Sequence, residues 1–337
     1  MDSQTPRLPP EIWLIILEML PASFFQKNLR CLTVSKQWYD LAYPSFYSRI
    51  EFTPRVISRL VSRQSRRFNR SRAKLRETLR CLNIVLDGMG KSDPKNGCFD
   101  TVLNLGRLYA MLLDFKDLQA VSIQARWQNK KWKADPLQAD YLPMRAIVPF
   151  VSFLENVKIL DLDLRGTSVI NGVTSDDQVH LCPFFRPLLN KLDVLRLRVR
   201  CICALAVLDM PDMGPLTVRE ITINLYLGEI SKHNPKLNST RRCSRAPNSW
   251  EWKSPVDEIR ASLQILLPIM VEPKRAQMIH LAPTGEVHTW NAATDICVPD
   301  TTKKAIPLRS CKETKSGSCF AEPNPSEDSN LDEIVLI

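Results

Sequence analysis

The chain has 337 residues, of which 44% are apolar and 24% are charged, and its net charge is +10. The length allows about two domains, and the apolar share is sufficient for a hydrophobic core, which excludes a wholly disordered chain. Glycine occurs only ten times, which disfavours the glycine-rich loops that bind phosphates and dinucleotides. The ten cysteines are too scattered for a disulfide scaffold and predict free thiols in a reducing compartment, the cytoplasm or the nucleus.

The first fifty residues predict three short helices. Pro10 and Glu11 begin the first, because proline is tolerated in a first turn and an acid there complements the helix dipole. The stretch 11–20 is apolar on all sides of the helix, so it needs covering surfaces on all sides. The same run contains an acid and is too short to cross a bilayer, so we expect neither a signal peptide nor a transmembrane helix and predict no membrane partner. The other two helices are predicted over Phe24–Thr33 and Ser35–Ala42.

These residues resemble an F-box. A Leu-Pro pair begins the first helix, a second Leu-Pro pair follows it, and a Val-Ser-Lys-x-Trp segment comes next, in the order typical of that family, over about residues 5–52. The resemblance implies a three-helix module that binds the adaptor subunit of an SCF-type cullin-RING ubiquitin ligase and, through it, the cullin. Where the family has an Asp-Leu pair that opens the second helix, this chain has Ser23-Phe24-Phe25.

The resemblance also implies which residues bind the adaptor. Leu8 and Pro9 would contact it directly, and Trp38 would hold the third helix in place. Other apolar residues would line the shared surface: Ile12, Ile15, Leu20 and Val34. The alternative is a helical cap on the next domain that binds no partner.

The positive charge is concentrated in one segment. Between Arg55 and Arg80, ten basic residues stand against the single acid Glu77. Apolar residues fall on one side of a helical wheel and arginines on the other, which predicts a basic amphipathic linker helix of about five turns. Its basic patch comprises Arg59, Arg63, Arg66, Arg67 and Arg70.

Several roles are open to this helix. It can pack its apolar stripe on the next domain, or contact nucleic acid, an anionic membrane or the nuclear import machinery. Only Phe68 interrupts the arginines, so the aromatic platform on which single-stranded nucleic acid stacks is missing. We favour the packing role, and a basic nucleic-acid-binding or nuclear scaffold protein is the alternative function.

Five later segments share a Leu-x-x-Leu-x-Leu-like pattern. Each predicts a short strand whose inward residues recur at every second position. Their first residues are 26 to 39 positions apart, with helix-like stretches between them. We predict that the five strands lie side by side in one parallel sheet, in chain order. The segments begin at Leu79, Leu118, Val157, Leu192 and Val218.

The predicted fold is α+β, a three-helix F-box followed by an irregular α/β solenoid with a parallel sheet. The repeats resemble degenerate leucine-rich repeats, a common companion of F-boxes in fungal proteins, although their consensus Asn or Cys is missing. An ordinary α/β domain is the alternative. Helices are predicted over Val102–Phe115, Met144–Leu154, Leu181–Leu192 and Asp257–Met270. The predicted divisions are the F-box (1–52), the linker helix (53–78), the repeat region (79–296) and a disordered tail (297–337).

The sequence gives little support for catalysis. The Gly-Lys-Ser at residues 90–92 lacks a phosphate-loop glycine, because Val85 takes its place, and Pro94 is expected to prevent a phosphate-binding helix. His180, Cys182, Cys201 and Cys203 lack zinc-finger spacing, so no metal site is expected. No cysteine has an evident base beside it, and the remaining histidines, His233, His280 and His288, are expected to be surface or satisfied residues.

We therefore expect a non-catalytic substrate-recognition subunit without a cofactor. The N-terminal module would bind the SCF adaptor, and the repeat surface would bind a protein substrate that the sequence does not specify.

Overall fold

The computed structural model describes residues 8–20, 24, 29–61, 73–87, 94–126, 142–152, 156–164, 167–168, 181–199, 202, 214–226, 255–282 and 284–299. Its helices are α1 (Pro10–Met19), α2 (Lys36–Ser48), α3 (Pro54–Val61), α4 (Pro94–Leu112), α5 (Val148–Ser152), α6 (Cys182–Leu189) and α7 (Pro255–Leu266). Residues 73–78 are also helical, and 3-10 turns occupy Leu29–Thr33, Met144–Ala146 and Leu267–Ile269.

The strands form one large sheet and one small one. They are β1 (Arg49–Phe52), β2 (Cys81–Asp87), β3 (Ala120–Arg126), β4 (Leu142–Pro143), β5 (Ile159–Leu164), β6 (Thr167–Ser168), β7 (Val194–Val199), β8 (Glu220–Asn224), β9 (Arg275–Leu281), β10 (Val287–Asn291) and β11 (Ile296–Pro299). The large sheet has the order β1-β2-β3-β5-β7-β8-β9-β10-β11, while β4 pairs with β6. Its strands are parallel from β1 to β9, and β9, β10 and β11 are antiparallel.

The five predicted strands lie in one parallel sheet in chain order, as expected. Each begins two residues after the first residue of its motif, and that first residue is buried in every case. The residue that precedes each strand accepts a backbone hydrogen bond from the equivalent residue of the next strand. Examples are Gln119 N to Arg80 O at 2.8 Å and Lys158 N to Gln119 O at 2.7 Å. The motifs therefore share one alignment across the sheet.

One face of the sheet is apolar. Its strands pair so that inward residues form two continuous rows, and the rows belong to the same buried cluster as the helices. Because consecutive parallel strands are neighbours and such connections share one hand, the crossover helices fall on one face. The rows are Ile50, Leu82, Val121, Leu160, Leu195, Ile221 and Ala276, and Phe52, Ile84, Ile123, Leu162, Leu197, Ile223 and Met278.

The N-terminal module is continuous with this sheet. The predicted third helix is longer than expected, since α2 extends from Lys36 to Ser48 and includes Pro44. Strand β1 follows it immediately and pairs in parallel with β2. Of the predicted second helix, Phe24 is helical and Leu29–Thr33 form a 3-10 turn, while residues 25–28 lie outside the described residues. The sheet thus begins inside the segment that the sequence assigns to the F-box.

Several predicted boundaries are wrong. Helix α4 begins at Pro94, eight residues before the expected start, because proline at a first helical position loses no intrahelical hydrogen bond. Pro94 therefore begins a helix instead of preventing one. Strand β11 extends to Pro299, into the predicted tail. The predicted helix from Met144 becomes a 3-10 turn followed by α5.

The described part of the basic linker supports packing. Helix α3 buries Ile57 and Leu60 against the core, which is the expected apolar stripe. Arg63, Arg66, Arg67 and Arg70 lie outside the described residues, as do Gly88–Ser92, His180, Cys201, Cys203, His233 and residues 300–337. Among the described helices, none combines the length and the apolarity needed to span a bilayer.

Candidate functional site

Large apolar side chains are exposed on α1 and beside it. Leu8, Ile12, Ile15 and Met19 recur at intervals of four, three and four residues, so they form one stripe along the helix. Met19 is 73% exposed, and so is Val34, which precedes α2. We call this set the N-terminal apolar face: Leu8, Ile12, Ile15, Met19 and Val34.

The opposite side of α1 fixes the orientation of this face. Leu17 is 1% exposed and belongs to the core, while the ring of Trp13 meets that of Trp38 edge to face with centroids 5.3 Å apart. Arg49 at the start of β1 donates a hydrogen bond to the Glu18 carbonyl at 3.4 Å. Helix α1 is therefore held against α2 and the sheet, and its apolar stripe is left uncovered within the described part of the chain.

Helix α2 begins at a capped position beside this face. The Ser35 hydroxyl accepts a hydrogen bond from the Trp38 backbone N–H at 3.0 Å, which satisfies a donor that the helix leaves unpaired. The backbone at Trp38 is therefore held by the Ser35 side chain.

The predicted adaptor-binding residues separate into two groups. Leu8, Pro9, Ile12, Ile15 and Val34 are exposed, whereas Leu20 and Trp38 are half-buried and pack against the core. Sequence reasoning omitted Met19, an exposed apolar residue of the same face, and Leu14, which is exposed on another side of α1. The all-round apolar character of the first helix was the signal that could have included them.

The described basic residues contact groups of the chain itself. The Lys74 ammonium lies 4.3 Å from the Tyr43 ring centroid, and Arg76 forms an ion pair with Asp114. Arg55 and Arg59 line a cavity of about 370 Å³ between α3 and α4, together with Asp100. Of the predicted basic patch, Arg59 is the member that the structure describes, and it lines the same cavity as Asp100.

The second face of the sheet carries a polar row. In each strand, one residue separates the members of the two apolar rows, and its side chain points to the second face. These residues are Glu51, Asn83, Ser122, Asp161, Arg196, Thr222 and Gln277. The central members Ser122 and Asp161 are buried, while Asn83, Arg196 and Gln277 are half-buried. Because the crossover helices lie on the other face of the sheet, polar residues are expected on this one, and the burial of Ser122 and Asp161 is the feature that departs from this expectation.

A buried ion pair lies beside that row. Arg198 Nε stands 3.6 Å from Asp163 Oδ1, and both side chains are 1% exposed. Arg196 pairs at 3.6 Å with Glu220 on the next strand in a more accessible position. Charges of both signs thus alternate across the middle of the polar face.

The structure bears on the predicted chemistry in two places. Among the described residues, no group of three His, Cys, Asp or Glu side chains has an arrangement that could hold a metal ion. The expectation that no cysteine has a base beside it is wrong, because Cys297 Sγ lies 3.6 Å from His288 Nδ1. These residues are nine positions apart, and the β10–β11 pairing brings them together.

Comparison with known proteins identifies one segment. The F-box-like family model matches residues 5–53, which comprise α1, α2 and β1. No curated protein shows significant similarity to the chain. The chain thus contains an F-box-like domain, which suggests a substrate-adaptor role in SCF ubiquitin ligases.

Proposed function

We propose that the protein is a non-catalytic substrate-recognition subunit of an SCF-type ubiquitin ligase. The N-terminal apolar face carries the proposal, because it lies on the F-box-like segment and exposes five large apolar residues. A cluster of exposed apolar side chains of this kind is typical of a protein interaction site. The adaptor subunit covers Leu8, Pro9, Ile12, Ile15 and Val34, and the cullin joins through the adaptor.

The half-buried residues of the module have a supporting role in this proposal. Trp38 and Leu20 pack inward and hold α1 and α2 in the orientation that presents the face. Their substitution would weaken adaptor binding by disordering the module, whereas substitution of Leu8 would remove a direct contact.

The rest of the sheet binds the protein substrate. The in-order parallel strands, with their helices on one face, support a degenerate leucine-rich-repeat-like solenoid. The polar row then forms the substrate surface, through its accessible members Asn83, Arg196 and Gln277. Mixed charge on this row favours a substrate segment that also carries both charges.

The test is co-purification of the adaptor with the full chain after Leu8 and Pro9 are both changed to alanine. Truncation of a central anchor of an interface costs about 2 kcal/mol or more, so recovery of the adaptor should fall about tenfold. Leu113→Ala is the matched control, since Leu113 is a similarly exposed leucine outside the F-box-like segment. Equal recovery with the double variant and the parent would contradict the proposal.

The alternative, nucleic-acid binding through the linker helix, predicts a different result. Charge reversal at Arg59, Arg63, Arg66 and Arg70 would abolish binding to a random oligonucleotide at low salt, with a strong dependence on salt concentration. Under our proposal the same variant keeps adaptor binding, and the parent shows no tight oligonucleotide binding at physiological salt. The contacts of Lys74 and Arg76 with the chain itself favour this second outcome.

A further inference from the structure

A cluster of reactive and titratable side chains occupies the C-terminal hairpins, outside the F-box-like segment and the polar row. Cys297 is exposed on β11, and its Sγ lies 3.6 Å from His288 Nδ1 on β10. On its other side, His288 Nε2 lies 3.6 Å from Glu286 Oε2. A thiol, an imidazole and a carboxylate are therefore arranged in sequence.

This order determines the roles of the three groups. A carboxylate beside Nε2 favours the imidazole tautomer that carries its proton there, which leaves Nδ1 as an acceptor toward the thiol. A thiol with an adjacent base that is oriented by a third group is the general arrangement of an activated nucleophile. Because Cys297 is exposed, a dissolved reagent can reach its sulfur.

Two groups lie beside this cluster, and one of them indicates what kind of molecule it would bind. His280, directly opposite His288 on β9, is 7% exposed, and its Nδ1 has no hydrogen-bond partner within the described residues. The Arg260 guanidinium of α7 lies 5.3 Å from the ring of Trp290, the residue paired with Cys297. Because the His280 nitrogen is buried, the Arg260 cation is the group that bears on the choice of ligand, and it favours a small molecule that has a carboxylate group.

We propose that Cys297 is a modification site that forms mixed disulfides with small anionic disulfides through thiol–disulfide exchange. His288 takes the thiol proton, and the Cys297 sulfur attacks one sulfur of the disulfide. The sulfur–sulfur bond of the reagent breaks as the new bond to Cys297 forms. The leaving thiolate receives the proton from His288 and departs as a thiol, so Cys297 is oxidised and the leaving sulfur is reduced.

The full-length protein tests this with oxidised glutathione as the probe. Trypsin releases residues 276–303, whose one cysteine is Cys297, and residues 81–91, whose one cysteine is Cys81. Mass spectrometry of both peptides without reduction therefore measures the two sites in one sample. We expect the mixed disulfide at Cys297 to form at least about tenfold faster than at Cys81, and denaturation in guanidinium to abolish the difference.

Two variants separate base catalysis from simple exposure. His288→Gln should slow the reaction of Cys297 about tenfold or more, whereas Thr289→Val on the same strand should leave its rate unchanged. Cystamine, a cationic disulfide, should react more slowly than glutathione disulfide, and Arg260→Gln should reduce that preference.

Equal rates at Cys297 and Cys81, or an unchanged rate at Cys297 in a folded His288→Gln protein, would overturn the proposal. A faster reaction with cystamine than with glutathione disulfide would overturn its anionic selectivity. The comparison of folded with denatured parent protein uses no variant. It therefore tests whether the faster reaction of Cys297 over Cys81 depends on the fold, even if a substitution prevents folding.

Discussion

At the scale of single residues, Asp295 shows how one side chain closes the C-terminal hairpin. Its backbone has a φ of 53°, in the left-handed region that short polar side chains tolerate better than most. Its carboxylate accepts a hydrogen bond at 2.9 Å from the indole N–H of Trp290, a residue that is 1% exposed. The residue therefore stabilises the turn through its backbone and the core through its side chain.

A substitution series at Asp295 separates these two effects. Asp295→Asn keeps both and should change the free energy of unfolding by less than about 0.5 kcal/mol. Asp295→Gly keeps the backbone conformation but leaves the buried indole N–H unpaired, at about 1 to 2 kcal/mol. Asp295→Ala loses both and should cost about 1 kcal/mol more. Chemical denaturation measures all three, and equal losses for glycine and alanine would contradict the backbone contribution.

His280 predicts a dependence of stability on pH. Burial first, and then the charges of Arg260 and His288, lower the pKa of this side chain in the folded protein, against a smaller opposite effect of Asp257. The unfolded chain therefore takes up the proton at higher pH than the folded one. Stability is complete above the ordinary histidine pKa of about 6.5 and falls as the pH drops through that value toward the folded pKa.

The measurement compares the parent with His280→Gln between pH 8 and pH 5. The parent should lose up to about 1.4 kcal/mol per pH unit more than the variant in the acidic part of this range, which corresponds to one proton. If the two proteins lose stability with pH in parallel, His280 has the same pKa in the folded and the unfolded chain.

At the scale of elements, the N-terminal cap of α2 stabilises the start of a helix in the F-box-like domain. Ser35→Ala removes the side-chain acceptor from the Trp38 N–H and should cost about 1 kcal/mol in unfolding free energy. Ser35→Asp retains an acceptor and should be close to neutral. If both variants lose the same stability, the hydrogen bond does not contribute to the helix start.

The strands differ in how well their sequences predict them. The segments from Leu79 to Val218 combine branched apolar residues at period two with regular spacing, and each of them forms a parallel strand. Strand β1 has four residues within a segment that resembles a helical module. The alternation of polar and apolar residues over so short a stretch did not identify it as a strand. Strands β9 to β11 contain few branched apolar residues, although Gly285, with a φ of 83°, gives a turn signal between two of them.

The two candidate sites also differ in how well the sequence predicts them. The N-terminal apolar face follows from helical periodicity and a family motif, both local in the sequence, so most of its residues could be named. The Cys297–His288 contact depends on the alignment of two antiparallel strands. A shift of that pairing by one residue would turn the two side chains to opposite faces, and no local pattern determines it.

At the scale of the whole molecule, the F-box-like domain and the sheet share one core. A single buried cluster includes Leu17 of α1, Phe52 of β1 and Trp290 of β10. Strand β1 is the last element of the matched segment and the first strand of the large sheet. We therefore expect the domain and the sheet to unfold together.

Phe52→Ala tests this expectation. Phe52 is 2% exposed, so its truncation should cost about 3 to 5 kcal/mol, while Phe52→Leu should cost less than about 1.5 kcal/mol. Hydrogen exchange should show that protection falls together in α2 and β2. Loss of protection in α2 with β2 unchanged would mean that the two parts unfold independently.

The sequential order of the parallel strands has a geometric consequence for the evolution of such a chain. Neighbouring strands are about 4.8 Å apart, so distances along the sheet change only in discrete steps. Gain or loss of one strand and its crossover would move everything beyond it by one such step and leave β1 and α1 in place. A molecule bound at one strand would thus move toward or away from the partner on the N-terminal apolar face. Each step would be about 4.8 Å, the spacing of two neighbouring strands.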